Sequence, residues 1–211
     1  PRITASPKDA GQVEILREHQ AVHGQRQPPP DLWAEAGFIP PAWLKNPHQQ
    51  TLWPVLFRRR PVRPLVRERL ELADGDFIDL ARVPAAGTSV LVLHGLEGSL
   101  RSHYALPLMA ALQRAGLEPV FMHLRGCSGE PNRLARSYHS GAFEDLAEVL
   151  LPIAARGRSV AAAIGVSLGG NLLLRDLGMH GPAARLRAVV AVSVPFMLAD
   201  AARRLEQGSS R

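Results

Sequence analysis

The chain has 211 residues, of which 46% are apolar and 21% are charged, a composition typical of a globular protein with a sizeable core. The formal net charge is +6, and of the 25 basic residues only Lys8 and Lys45 are lysines. A single cysteine excludes an intramolecular disulfide, and no apolar run reaches the roughly 18 residues of a membrane span. The first residues, Pro1–Thr4, lack a signal-peptide pattern, so the cytoplasm is the expected compartment.

Two segments precede the regular part of the chain. Residues 1–30 are polar and end in three consecutive prolines, which predicts a disordered or loosely packed leader. Residues 31–66 contain Trp33, Trp43 and Trp53 among several prolines, which predicts an irregular N-terminal wrap that buries its aromatic side chains on the core.

The densest basic run is Arg58–Arg60, at the end of that wrap. Such a run can bind nucleic acid or acidic lipid. Pro61 and Pro64 interrupt it, however, and it lacks the interleaved aromatic residues on which bases stack. We therefore predict a solvated connector and no nucleic-acid partner.

The rest of the chain alternates apolar runs with amphipathic stretches. Six runs are predicted to be strands: residues 67–72, 77–83, 90–94, 119–124, 160–165 and 187–193. Asp74-Gly75 marks a hairpin turn between the first two. Helices are predicted over 104–115 and 142–155, ending at Gly116 and Gly157, and a third is expected to end at Gly178. This alternation predicts an α/β fold whose mostly parallel sheet carries helices on both faces.

Gly165-Val166-Ser167-Leu168-Gly169 follows the fifth predicted strand and opens a helix. A serine between two glycines at such a junction is typical of a nucleophile held on a sharp turn. Glycine is needed at both flanks because the strand and the helix must approach closely. The alternative is a purely structural Gly/Ser turn. We predict that Ser167 is the nucleophile.

His94–Ser99 follows the third predicted strand and is rich in glycine. In the fold that presents a serine in this way, the loop after the third strand supplies one oxyanion-hole N–H, and the residue after the nucleophile supplies another. The predicted donors are the main-chain N–H groups of Leu96 and Leu168. For His94 a role in bracing this loop is favoured over that of catalytic base.

A third loop follows the fourth predicted strand. Arg125 there could contact a substrate anion, but a charged glycine-rich loop more often holds itself together through arginine–carboxylate pairs. Cys127 is expected to be structural rather than a nucleophile. A metal site built from His139, Glu144 and Asp145 is disfavoured because their spacing matches no common ligand pattern.

Six motifs, in order and at similar spacing, make the chain resemble the fourth AB-hydrolase family, and in particular its bacterial YheT-like members. The motifs are Asn46–Thr51, Leu72–Leu80, His94–Ser99, Arg125–Asn132, Tyr138–Gly141 and Gly165–Asn171. The resemblance covers the chain from about Phe38 onwards. It implies the α/β-hydrolase fold and a serine carboxylesterase of short- to medium-chain acyl esters, with no metal and no organic cofactor. The expected partner is a small-molecule ester.

The resemblance also shows what this sequence lacks. The triad acid and histidine of the family follow strands seven and eight, and neither strand is predicted here. Asp176 and His180 have the right order, but Asp176 lies about 13 Å along the helix from Ser167. We therefore interpret residues 67–211 as the N-terminal part of an incomplete hydrolase domain, inactive alone, with the acid and the base beyond Arg211. The alternative is a non-catalytic fragment that at most binds acyl ligands.

Overall fold

The computed structural model describes residues 39–57, 64–158 and 160–207. The predicted leader and the Arg58–Arg60 connector lie outside these residues. The chain divides into two compact units, Pro1–Leu52 and Trp53–Arg211. In the described part of the first unit, the N–H of Leu44 donates to the carbonyl of Pro41 (2.8 Å), which forms a turn ahead of a helix.

That helix, α1 (Pro47–Phe57), is a correction to the predicted irregular wrap. Asn46 caps it by accepting a hydrogen bond from the N–H of His48 (2.9 Å), and Pro47 occupies the first helical position, where a missing N–H costs nothing. The expected burial of aromatic side chains is also wrong for Trp53 and Phe57, which are 41% and 61% exposed. Trp33 lies outside the described residues.

All six predicted strands are present, within two residues of the predicted ends. They are β1 (Val66–Glu71), β2 (Phe77–Arg82), β3 (Ser89–Leu93), β4 (Glu118–Met122), β5 (Val160–Val166) and β6 (Ala188–Val192). They form one sheet in the order β1-β2-β4-β3-β5-β6. β2 runs antiparallel to β1 and β4, and the other pairs are parallel. The predicted hairpin turn is confirmed, with Gly75 at φ 85°.

Within the described residues, four further α-helices connect or follow the strands. They are α2 (Ala105–Arg114), α3 (Glu144–Ala155), α4 (Leu168–His180) and α5 (Leu198–Gln207). Gly116 (φ 77°) and Gly157 (φ 75°) end α2 and α3, as predicted. The predicted end of α4 at Gly178 is wrong, because one glycine costs a helix interior only about 1 kcal/mol. The helix ends at Gly181, which has φ 51° and precedes a proline.

The core lies on both faces of the sheet, as the alternation predicts. On one face Leu91 and Leu93 of β3 are in the same buried cluster as apolar residues of α3 and α4, such as Leu146 and Leu172. On the other face Val92 clusters with residues of α2. The central strand is therefore buried on both sides, whereas at the outer strand β6 Val190 and Val192 are 54% and 42% exposed.

Within the described residues, no helix has the length and apolar character needed to cross a bilayer.

Candidate active site

Ser167 sits between the last residue of β5 and the first of α4, at φ 52° and ψ −116°. A non-glycine residue in this region of backbone space stores about 1–3 kcal/mol of strain, which the surrounding structure must offset. Two hydrogen bonds hold the turn: the N–H of Ser167 donates to Val192 (2.7 Å), and its carbonyl accepts from Asn171 (3.0 Å). The half-buried serine is therefore fixed at the carboxyl ends of the parallel strands.

The glycines that flank Ser167 are required by close contacts. A methyl group on Gly165 would lie 2.5 Å from main-chain atoms of Gly169 and Gly170. One on Gly169 would lie 2.6 Å from the carbonyl oxygen of His94. The predicted close approach of strand and helix is confirmed, and the second contact shows that α4 begins directly against the end of β3.

The segment after β3, residues 94–99, lies against Ser167 and is named here the β3 loop. A methyl group on Gly95 would be 3.1 Å from Ser167 Cβ and 3.6 Å from Ser167 Oγ. The structure thus brings together the two segments that the sequence analysis assigns to the nucleophile and to the oxyanion hole.

Three of the four successive main-chain N–H groups of residues 95–98 are engaged. Gly95 donates to Tyr104 Oη (3.2 Å), Glu97 to Tyr138 Oη (2.7 Å) and Gly98 to the carbonyl of Gly95 (3.0 Å). Among the hydrogen bonds of residues 39–57, 64–158 and 160–207, none is donated by the N–H of Leu96. The same holds for the N–H of Leu168, at the first position of α4. Neither predicted donor is therefore engaged by another group of the described residues.

His94 is fully buried and braces the β3 loop. Its Nδ1 lies 2.7 Å from the carbonyl of Gly95, and its Nε2 accepts a hydrogen bond from the N–H of Leu124 (3.0 Å). Burial lowers the pKa of His94 to about 4, although the bond to Gly95 acts in the opposite direction. Both ring nitrogens of a neutral imidazole are therefore occupied, and this side chain does not act as a base toward Ser167.

The segment after β4, residues 125–141, is named here the β4 loop, and a fully buried arginine anchors it. Arg125 binds both carboxylate oxygens of Asp145 (2.8 Å each). Its Nη1 also contacts Asp74 (2.9 Å) and Asp76 (3.0 Å), on the β1–β2 turn. Burial alone raises the pKa of Asp76, but hydrogen bonds from Asn132, Arg133 and Phe77 outweigh burial and leave it at about 2. Each guanidinium nitrogen of Arg125 thus contacts a carboxylate, which confirms the predicted arginine–carboxylate pairing.

A polar cavity of about 930 Å³ lies between the β3 and β4 loops. Leu96, Glu97, Cys127 and Tyr138 are among the residues that line it. Burial raises the pKa of the Cys127 thiol, which a hydrogen bond with Tyr138 only partly opposes. A protonated thiol is a poor nucleophile, which agrees with the structural role predicted for Cys127.

No histidine of the described part, His94 included, forms a hydrogen bond with Ser167. His180 is paired with Asp176 at the far end of α4 (3.1 Å), so this pair exists but lies away from the turn. In the described part of the chain, no three histidine, cysteine, aspartate or glutamate side chains are grouped so as to hold a metal ion.

Sequence reasoning did not find Tyr104 and Tyr138, whose hydroxyls hold the β3 loop, or Asp74 and Asp76 as partners of Arg125. Tyr138 lies in one of the six motifs and Asp74 and Asp76 lie in another, and those positions are the available signal. Tyr104 lies in none of them, and its role becomes visible only when distant segments meet.

Comparison with known proteins places these observations in context. Residues 88–210 match the model of the alpha/beta hydrolase fold family. The chain is 46% identical over 184 residues to the Escherichia coli (strain K12) protein named "Putative esterase YheT", covering 84% of this chain and 54% of that protein. It is 30% identical over 181 residues to Bos taurus phospholipase ABHD3, covering 81% of this chain and 44% of that protein.

Among solved structures, the Pyrococcus furiosus esterase Pf2001 is similar in fold, with a TM-score of 0.59 and 17% identity. The match covers 82% of this chain and 64% of that structure. The chain spans about half the length of the curated relatives it matches.

Proposed function

Because this chain belongs to the alpha/beta hydrolase fold family, we propose that it carries the nucleophile and the oxyanion hole of a serine carboxylesterase. The expected substrates are short- to medium-chain acyl esters. The observation that supports this best is the contact of Gly95 with the strained Ser167, beside the unengaged N–H groups of Leu96 and Leu168.

In the proposed reaction, Ser167 Oγ attacks the ester carbonyl carbon and loses its proton to a base. The N–H groups of Leu96 and Leu168 bind the oxyanion, and each such donor contributes about 3–4 kcal/mol to the transition state. The base then protonates the leaving alcohol, and water releases the acid from the acyl-serine. No metal or organic cofactor takes part.

The proposal assigns the base and its orienting acid to residues outside those that the structure describes. Both nitrogens of His94 are engaged, and His180 pairs with Asp176. The absence of a described histidine bonded to Ser167 also favours a second candidate, a non-catalytic chain that binds acyl ligands. Measured turnover separates the two.

The substrate class is supported by the names of two relatives and by the size of a cavity beside the β3 loop. The names of two relatives denote an esterase and a phospholipase, both of which hydrolyse ester bonds. The cavity of about 930 Å³ beside Leu96 has the size of a ligand pocket.

The deciding experiment measures hydrolysis of short-acyl nitrophenyl esters by the protein encoded in the complete reading frame. Replacing Ser167 by alanine should lower kcat on the order of a millionfold, as removal of a nucleophile does in a serine hydrolase. Cys127→Ser is the matched control and should leave kcat within a few-fold. Undiminished turnover by the Ser167→Ala protein would refute the assignment.

A second assay compares the 211 residues alone with the protein from the complete reading frame. We expect little or no turnover from the shorter chain, because a serine without its histidine keeps only the contributions of binding and of the oxyanion hole. Equal turnover per molecule would show that a base lies within these residues.

A further inference from the structure

Within the described residues the N–H of Leu96 in the β3 loop is free, while the N–H groups on either side of it donate to side chains from other parts of the fold. A peptide group carries its C=O and the next N–H in one plane, pointing in opposite directions. The Leu96 N–H therefore belongs to the plane of the Gly95 carbonyl, to which Gly98 donates (3.0 Å) and near which His94 Nδ1 lies (2.7 Å). The following plane carries the Glu97 N–H, which donates to Tyr138 Oη (2.7 Å).

Tyr138 contacts both the Glu97 N–H and the ring of His94. Its hydroxyl accepts from Glu97, which has the strained φ of 52°. Its ring lies edge-on to the ring of His94, with 6.4 Å between centroids. Its hydroxyl also forms a hydrogen bond with Cys127. The hydroxyl is thus already occupied within the protein and is not directed at a substrate.

The segment that carries Tyr138 is held by hydrogen bonds to residues that are distant in sequence. The N–H of Arg133 donates to Asp76 (3.0 Å), and Asn132 donates to the carbonyl of Phe77 (3.2 Å). Together with Arg125, these bonds hold the β4 loop to β2 and the β1–β2 turn. Tyr138 therefore connects a rigid part of the fold to a strained part of the β3 loop.

We infer that Tyr138 is a positioning residue of the proposed esterase, which holds the Glu97 peptide so that the Leu96 N–H stays aimed at the oxyanion. The inference rests on the proposed function. Without the hydroxyl, the positive φ of Glu97 loses a bond that offsets its strain, and the peptide groups around Leu96 can rotate away. We expect the loss of the hydroxyl to weaken stabilisation of the transition state and to leave binding of the substrate unchanged.

Tyr138→Phe is the test variant, because it keeps the ring that contacts His94 and removes only the hydroxyl. In the protein from the complete reading frame, kcat should fall on the order of tenfold, short of the roughly 100- to 1,000-fold that loss of a donor costs. KM should stay within about twofold, and the inhibition constant of an alkyl trifluoromethyl ketone should rise by the same factor as kcat falls.

Ser89→Ala is the matched control. Ser89 donates to Glu118 (2.5 Å) at the opposite end of β3, roughly 20 Å from Gly95 along the strand. Its loss should lower the melting temperature and leave kcat within about twofold. An unchanged kcat in Tyr138→Phe, or a change confined to KM, would overturn the inference.

Hydrogen exchange tests the same arrangement without relying on a variant that folds. In the native protein the amides of Gly95 and Glu97 should be protected, and that of Leu96 should exchange rapidly. Exchange of Glu97 as fast as Leu96 would overturn the inference. Activity in Ser167→Ala would refute the proposed function and the inference with it, whereas full activity in Tyr138→Phe beside an inactive Ser167→Ala would refute only the role of Tyr138.

Discussion

The β3 and β4 loops leave neighbouring strands at the same edge of the sheet, yet different forces hold them. The β3 loop is fixed by neutral groups: the imidazole of His94 and the hydroxyls of Tyr104 and Tyr138. The β4 loop is fixed by charge, with Arg125 buried among three carboxylates. A neutral framework leaves the Leu96 amide without a competing carboxylate, while the charges of the β4 loop compensate one another.

This difference predicts that different perturbations destabilise the two loops. Removing one partner of a buried ion pair lowers the free energy of unfolding strongly, because the remaining charge stays buried without a partner. Neutral hydrogen bonds are sensitive to protonation and to steric crowding. The following predictions test this contrast, from the largest effect on stability to the smallest.

Arg125→Met should lower the free energy of unfolding by about 3–5 kcal/mol, since Asp76 and Asp145 would be left buried without their cation. Urea denaturation followed by circular dichroism measures this. A cost below about 1 kcal/mol would mean that water reaches the cluster and that charge does not hold the β4 loop.

Acid should weaken the β3 loop before the β4 loop. The pKa of His94 is lowered to about 4, so its contribution is complete above about 6.5 and is lost as the pH falls from there toward 4. This loss amounts to about 3 kcal/mol. The pKa of Asp76 in the β4-loop cluster is about 2, so the contribution of Asp76 is lost only as the pH falls from about 3.8 toward 2.

The measurement is the free energy of unfolding from pH 7 to pH 4, for the native protein and for His94→Gln. We expect the native curve to fall over this range and the variant curve to be flatter. Equal slopes would show that other groups govern this range of pH.

A matched pair of glycine substitutions tests steric crowding in the two loops. A methyl group on Gly98 would meet the ring of His94 at 2.8 Å, and that ring is held at both nitrogens. A methyl group on Gly141 would meet only the exposed His139, at 3.1 Å. Gly98→Ala should therefore cost about 1–3 kcal/mol, and Gly141→Ala about 0.5 kcal/mol or less. Equal changes in melting temperature would contradict a rigid His94.

Arg133→Ala should have the smallest effect, below about 1 kcal/mol, although Arg133 also forms an ion pair in the β4 loop. Its partner is the exposed Glu71, and both side chains remain in contact with water. Comparing Arg133→Ala with Arg125→Met in the same denaturation assay separates the effect of burial from the effect of charge. Equal losses would show that burial is not what makes the Arg125 cluster strong.

The sequence predicted the sheet well because strands and turns are local. The apolar run before Ser167 and the glycines at 116 and 157 determine their own structure, and the observed ends differ by two residues or fewer. The sequence does not predict the helix over 47–57, although Asn46-Pro47 is a usual helix start, because the many prolines nearby favour an irregular chain. Gly178 predicts a helix end, but the helix tolerates this glycine and continues to His180.

The candidate site was predictable only in part. The Gly165–Gly169 and His94–Ser99 segments carry their own signals, and the structure brings them together. The charged, glycine-rich sequence of the β4 loop also predicts arginine–carboxylate pairing, but it does not indicate which acids are the partners. Asp76 lies 49 residues from Arg125 and Tyr138 lies 41 from Glu97, so nothing local indicates that they meet.

The position of β4 between β2 and β3 has a consequence for synthesis on the ribosome. The β1–β2 hairpin is made first but reaches the sheet only through β4, whose last residue follows Arg82 by 40 positions. At translation rates of about 5–20 residues per second, the hairpin waits roughly 2–8 s for its neighbour. Arg125 emerges three residues after β4 ends, so the strand and the cation that secure Asp74 and Asp76 arrive together. Strands β5 and β6 then add outward from β3 in the order in which they are made, and no strand pair already formed has to open.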